Sequence, residues 1–287
     1  MTGRSHYTDY DEPTTARCER VLVTLLGDVG PWRERIYLAG GLAPRYLVGR
    51  LPEGARGHVG TTDVDLIIGL ALGDENPETY RTLKNNLVKA GFKPGESSYQ
   101  WTLLVDGTNV KVEFLCETDQ VPQGRIFKPK DEGIGSDLGA FNVRGAQLVR
   151  EDFIETEIEG ERLDGGGRSK VRVRVANLLP YTTLKILAFQ DRHENKDAYD
   201  LVFTVLNHEG GPREAGMAAK SSHVAAHAQV AAALALLEER FQTVDQDGPS
   251  AYAAFLANPG AAEEHARLRR EAVATVREFL SGFRGDV

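Results

Sequence analysis

Thr61-Thr62-Asp63-Val64-Asp65-Leu66-Ile67-Ile68 places two carboxylates one residue apart at the mouth of an apolar run. Side chains alternate between the faces of a strand, so Asp63 and Asp65 share one face while Val64 and Leu66 point into a core. Two acids about 7 Å apart on one strand repel each other and make a poor structural feature. They make a good cradle for a hard divalent cation such as Mg²⁺, which takes oxygen ligands and usually shares them with substrate phosphates.

Upstream, Ile36-Tyr37-Leu38-Ala39 reads as a short buried strand ended by Gly40-Gly41. A helix is expected from Leu42 to Val48, then a loop containing Gly and Pro as far as Gly60. A Gly-Gly turn opening a helix lets backbone amides approach a phosphate, whose charge the helix N-terminus favours. Further back, Cys18, Val21, Leu22 and Leu25 give Thr14 to Leu26 a helical period.

Downstream, Pro77 to Ala90 predicts a helix with Leu83 and Leu87 on one face and Gly91 as its stop. Asp106-Gly107 separates the apolar runs Tyr99–Val105 and Val110–Cys116, a strong hairpin signal. In Val110-Lys111-Val112-Glu113-Phe114-Leu115, Glu113 stands opposite Val112 and Phe114 and supplies a third acid on a neighbouring strand. Gln120 to Gly139 is loop-rich. The order of elements gives an α/β (α+β) fold: a small mixed sheet flanked by helices.

A second hairpin is expected from Phe153 to Val175, with Gly165-Gly166-Gly167 in its loop. Pairing Glu155 with Arg174, Glu157 with Arg172 and Glu159 with Lys170 satisfies one antiparallel register. The basic strand invites an RNA-binding reading, but its acidic partners favour cross-strand ion pairs. After Pro180 the chain reads as helical to its end, Ala-rich and amphipathic near 218–241 and 261–283. The expected division is a core at 1–150 and a hairpin plus helical region at 151–287. His223 and His227 have i,i+4 metal-binding spacing on the Ala-rich helix, but no further ligand lies nearby, and no histidine is assigned a role.

The 287 residues suffice for one large or two modest domains, and 41% hydrophobic with 26% charged residues is ordinary for a soluble globular chain. A net charge of −8 argues against a surface coated for nucleic acid. No apolar run approaches the ~20 residues of a membrane span. The N-terminus lacks an apolar signal region. Cys18 and Cys116 are too few for a disulfide scaffold or a cysteine zinc site. A cytoplasmic protein with reduced thiols and no membrane partner is expected.

With Leu38-Ala39-Gly40-Gly41, Thr61-Thr62-Asp63-Val64-Asp65-Leu66 and Val112-Glu113-Phe114 in this order, the chain resembles the nucleotidyltransferase superfamily with the polymerase-β-like core. A second stretch is similar to the AbiEii group, which includes toxins of abortive-infection and toxin–antitoxin systems. It runs Leu178-Leu179-Pro180-Tyr181-Thr182-Thr183-Leu184-Lys185-Ile186-Leu187-Ala188-Phe189, then Arg192 and Lys196-Asp197-Ala198-Tyr199-Asp200-Leu201. The resemblance covers roughly residues 36 to 206. It implies transfer of a nucleoside monophosphate from an NTP to an acceptor, with RNA, tRNA first, as the acceptor and a separately encoded antitoxin as partner.

By the same resemblance Asp63, Asp65 and Glu113 are the catalytic acids and the ligands of Mg²⁺, with a two-metal site open to them. Gly40, Gly41, Thr61 and Thr62 bind nucleotide. Lys185 helps bind phosphates, and Asp197 with Asp200 fixes that lysine or assists chemistry. Two features depart from the family pattern. Leu42 stands where a small hydroxyl residue is usual, with Thr61 or Thr62 as its substitute, and the link from Gly41 to Asp63 is longer than usual.

Residue by residue, other readings stay open. Lys185 between Leu184 and Ile186 also fits a snorkelling surface lysine. Asp197 also fits an N-cap, and Asp200 an i,i+4 partner of Lys196. A nucleotidyltransferase acting on a small molecule such as an aminoglycoside, and a nucleotide-binding module without catalysis, are the alternative functions.

Overall fold

The computed structural model describes residues 6–51, 53–69, 77–129, 138–163, 165 and 167–286. Its strands are β1 (Ile36–Leu38), β2 (Asp63–Ile68), β3 (Lys93–Pro94), β4 (Gln100–Val105), β5 (Thr108–Cys116), β6 (Ile126–Phe127), β7 (Ala140–Asn142), β8 (Phe153–Glu161) and β9 (Arg168–Ala176). Its α-helices are α1 (Glu12–Asp28), α2 (Pro44–Leu47), α3 (Pro77–Lys89), α4 (Ala146–Glu151), α5 (Leu178–Arg192), α6 (Asn195–Leu206), α7 (Pro212–Lys220), α8 (Ala228–Phe241), α9 (Asp247–Leu256) and α10 (Ala262–Arg284). The fold is mixed α/β, as the order of sequence signals requires. It divides into two compact units. One is Glu12–Ala43 with Gly60–Ala176; the other is Met1–Asp11, Pro44–Val59 and Asn177–Val287.

The first unit holds one open mixed sheet in the order β3-β4-β5-β2-β1-β9-β8, with β6 and β7 joined to it through β5. Strands β2 and β5 run parallel, and β1 is antiparallel to β2 but parallel to β9. The hairpin β4–β5 turns at Asp106-Gly107, whose φ values of 48° and 78° are the doubly positive pair of a tight primed turn. One sheet face is apolar. Val64, Leu66, Val112, Phe114 and Trp101 are fully buried, and Val173 and Val175 continue the layer. Helix α1 packs on β2, β5, β8 and β9 and contributes Cys18, Val21, Leu22 and Leu25 to the core. Leu83 and Leu87 of α3 are buried as their spacing predicts.

The hairpin β8–β9 has the register expected from charge pairing: Glu155 opposite Arg174, Glu157 opposite Arg172, Glu159 opposite Lys170. Arg174 bonds Glu155 and Glu34, while Arg172 and Arg168 reach Glu155 and Glu159 diagonally. Because β9 pairs with β1, this hairpin clusters with the sheet rather than with the helices that follow it.

The second unit is helical, and α5 starts on an Asn177 cap that accepts from Leu178 N–H at 2.8 Å. Helices α7 and α10 cross with almost nothing between their backbones. A Cβ on Gly216 would lie 2.0 Å from the Phe279 carbonyl oxygen, and one on Gly282 2.1 Å from that of Arg213. The helix expected over 218–241 is two helices, because Ser221–His227 breaks it, and His227 is the N-cap of α8. His223 and His227 therefore do not share a helix face. The short strands β3, β6 and β7 carry no clear sequence signal, whereas α9 lies in the stretch after Pro180 that reads as helical. Cys18 and Cys116 are buried free thiols. Among the described residues no helix is long and apolar enough to cross a membrane.

Candidate functional site

The acidic residues of the sheet unit come together as strand alternation requires. Asp65 pairs with Glu113 across the parallel β2–β5 ladder, and Asp63 precedes Asp65 by one alternation on the same face. All three are half-buried, whereas Val64, Leu66, Val112 and Phe114 on the opposite face are closed to water. The acids are held by neighbours. Thr61 Oγ1 donates to Asp63 Oδ1 at 2.8 Å, and the Thr61 N–H donates to Thr15 Oγ1 at 3.1 Å. Gln100 Nε2 donates to Glu113 Oε1 at 2.9 Å and to the Tyr99 hydroxyl at 3.2 Å. Lys111 Nζ lies 3.7 Å from the same Glu113 oxygen. Burial, with Glu113 and Asp65 adding to it, pushes the Tyr99 hydroxyl above the usual tyrosine value.

The Gly-Gly turn touches this group directly. Ala39 N–H donates to the Asp65 carbonyl at 2.9 Å, and Gly40 follows with φ 64°. A Cβ on Gly40 would fall 1.8 Å from Asp65 Oδ2, so the residue must be glycine both for its backbone and for the carboxylate pressed against it. Gly41 is buried beside it. The expected helix from Leu42 to Val48 is instead a 3₁₀ turn, Gly40–Leu42, followed by the four-residue α2. So short a helix gives little dipole for a phosphate. Leu42 is 1% exposed and belongs to the core, which explains why no hydroxyl stands there. Thr61 is also buried and braces Asp63; Thr62 is half-buried in the bend before β2.

Lys185, Asp197 and Asp200 form the centre of an ionic network in the helical unit. Lys185 Nζ donates to Asp200 Oδ2 at 2.7 Å and to Asp197 Oδ1 at 3.1 Å. Arg192 grips Asp197 with two nitrogens, at 2.6 and 2.8 Å. Asp200 Oδ1 takes Lys196 Nζ at 2.6 Å and His58 Nε2 at 2.8 Å. Lys185 is 6% exposed, so the snorkelling reading is wrong: its stem does not lead to water because two carboxylates meet it inside. Asp197 is three residues into α6 rather than its cap, while Asp200 is indeed the i,i+4 partner of Lys196.

Burial alone would strip these charges, and their proximity restores them. For Asp200, burial is outweighed by Lys185, Lys196 and His58, which hold its carboxyl far below the usual range. For Lys185, burial is outweighed by Asp200 and Asp197, which hold it well above the usual lysine value. Lys196 goes the other way, lowered by burial and assisted by the like charge of Lys185. His58 is lowered to about 4, chiefly by burial. It is therefore neutral at pH 7 and donates its Nε2 proton to Asp200. Its ring stacks on Tyr199 at 5.3 Å and meets Phe203 edge-on at 5.0 Å, while Val59 N–H donates to the Tyr199 hydroxyl at 3.0 Å.

Sequence reasoning missed His58, Tyr99 and Gln100. Counting back from the Asp106-Gly107 turn puts Gln100 opposite Glu113, so that signal was present. Nothing local marks His58, whose partner is 142 residues away.

Among the described residues, no three His, Cys, Asp or Glu side chains close around one point as an all-protein metal cage would. The acid face nonetheless fits Mg²⁺, which binds through one or two carboxylates and completes its shell with water and substrate phosphate. The donor set is all oxygen, and Gly40 leaves the carboxylate of Asp65 room beside the turn. No family model matches the chain, and no curated protein matches it either.

Proposed function

We propose that the chain is a Mg²⁺-dependent nucleotidyltransferase, moving a nucleoside monophosphate from an NTP to a hydroxyl acceptor. The observation that carries this reading is the parallel pairing of Asp65 with Glu113, with Asp63 on the same face and Gly40 against Asp65. Asp63 and Asp65 would hold the cation, and Glu113 would share a second one. When bound, the cation offsets triphosphate charge and orients the α-phosphate for in-line attack. Where it holds no second cation, Glu113 instead accepts the proton of the attacking hydroxyl. The acceptor oxygen then bonds to the α-phosphorus as the bond to the pyrophosphate oxygen breaks.

The two carboxylates bonded to Lys185 support the role of Asp197 and Asp200 in fixing it; a part for Lys185 in binding phosphates rests on the resemblance of residues 178 to 201 alone. RNA as the acceptor, tRNA first, and a separately encoded antitoxin rest on the resemblance of residues 178 to 201, whereas a cytoplasmic site of action rests on the sequence's lack of an apolar signal region and its two cysteines.

The test uses the full chain with labelled NTPs, Mg²⁺ and total RNA. Label should pass to RNA from at least one NTP. Asp63→Ala should lower that transfer by a hundredfold or more, and chelation of Mg²⁺ should abolish it. No transfer from any of the four NTPs removes the reading.

A further inference from the structure

We infer that Tyr99 contacts the acceptor hydroxyl of the proposed reaction and that Gln100 is the residue that positions it; the inference rests on the nucleotidyl-transfer reading. Tyr99 precedes β4 and turns its hydroxyl back to the face that Gln100 and Glu113 share, with its ring 5.3 Å from that of Phe141. Gln100 is 9% exposed, and one amide nitrogen reaches both neighbours. Its two hydrogens go to Glu113 Oε1 at 2.9 Å and to Tyr99 Oη at 3.2 Å. The amide has no alternative orientation here, because a flip would set its carbonyl oxygen against the Glu113 carboxylate.

The direction of the Tyr99 proton follows. Its oxygen accepts from Gln100, so its own O–H points away from that amide as a donor. The acid face thereby combines carboxylate acceptors with a neutral donor at Tyr99. A ligand atom that uses both must accept one hydrogen bond and donate another, which is the chemistry of an alcohol. An ammonium would satisfy the carboxylates but could not receive the Tyr99 proton. A phosphate oxygen that carries no proton would receive it but have nothing to donate to the Glu113 carboxylate. A hydroxyl takes the Tyr99 proton on one lone pair, gives its own proton to Glu113 and keeps the other lone pair for phosphorus.

The experiment measures binding of two RNAs to the full chain with Mg²⁺ and an α,β-methylene NTP, which cannot transfer. The RNAs are identical except that one ends in a 3′-hydroxyl and the other is 3′-deoxy. Wild type should prefer the hydroxyl RNA about tenfold, the scale of one hydrogen bond. Tyr99→Phe, which keeps the ring, should bring the ratio to about one, and Gln100→Met should lower it in the same direction. A purely structural role for either residue would weaken both RNAs equally and leave the ratio unchanged. An unchanged ratio in Tyr99→Phe, no preference in wild type, or no binding of either RNA overturns the inference. Failure of the nucleotidyl-transfer reading is seen separately, as absence of label transfer in wild type.

Discussion

His58 shows how much one buried side chain adds to this protein. Its imidazole is neutral in the fold because burial lowers it to about 4, while the unfolded chain keeps the ordinary value near 6.5. Above pH 6.5 both states are neutral and its contribution is complete. As the pH falls from 6.5 towards 4 the unfolded chain takes up a proton that the folded chain refuses, so stability falls across that window. The loss is about 3 kcal/mol in all. Asp200 and Asp197, held below the usual carboxyl range, lose their contributions only at lower pH. His58→Gln keeps a donor for Asp200 but does not titrate. Urea midpoints at pH 7, 5.5 and 4.5 should therefore fall less steeply in the variant than in wild type, and equal slopes would refute the assignment. At this scale the sequence was uneven in what it revealed. Asp63, Asp65 and Glu113 were legible because alternation and one hairpin turn fix their face. His58 was not, because a contact across 142 residues leaves no periodic trace.

Elements were legible where local chemistry was strong. The turn at Asp106-Gly107 and the opposed charges of β8 and β9 each fixed a register, and the observed pairs match both. Strands β3, β6 and β7 were not, because two or three residues cannot display an alternation and Pro94 reads as a breaker. Helix α9 falls within the stretch read as helical after Pro180, but its start at Asp247-Gly248-Pro249 is not marked by a periodic signal. Tertiary contact decides the α7–α10 crossing, where Gly216 and Gly282 let two backbones meet. Glycine normally weakens a helix by about 1 kcal/mol relative to alanine. Here the opposite sign is expected. Gly282→Ala should destabilise by about 1–3 kcal/mol, since its methyl meets the Arg213 carbonyl and the helices must separate. A raised urea midpoint in that variant would contradict the crossing.

At the scale of the whole molecule, neither unit is continuous in sequence. The chain passes between them at residues 11/12, 43/44, 59/60 and 176/177. The long link from Gly41 to Asp63, a departure when judged against a family pattern, is the segment Pro44–Val59 that completes the helical unit, with α2 packed on α6. A single cut therefore cannot release either unit. Residues 12–176 with 44–59 replaced by a short Gly/Ser linker should unfold cooperatively in urea, whereas residues 151–287 should not. A cooperative transition in the latter would contradict the division.

The clasp of His58 on Asp200 also has a consequence in time. Ribosomes add roughly 5–20 residues per second, so Asp200, 142 residues after His58, follows it by about 7–28 s. Throughout that interval the stretch before His58 has been synthesised but its anchor has not. It has to wait without sticking to anything else, and a stretch in which Gly49, Arg50, Glu53, Gly54, Arg56 and Gly57 outnumber Val48, Leu51 and Ala55 favours solvation over collapse.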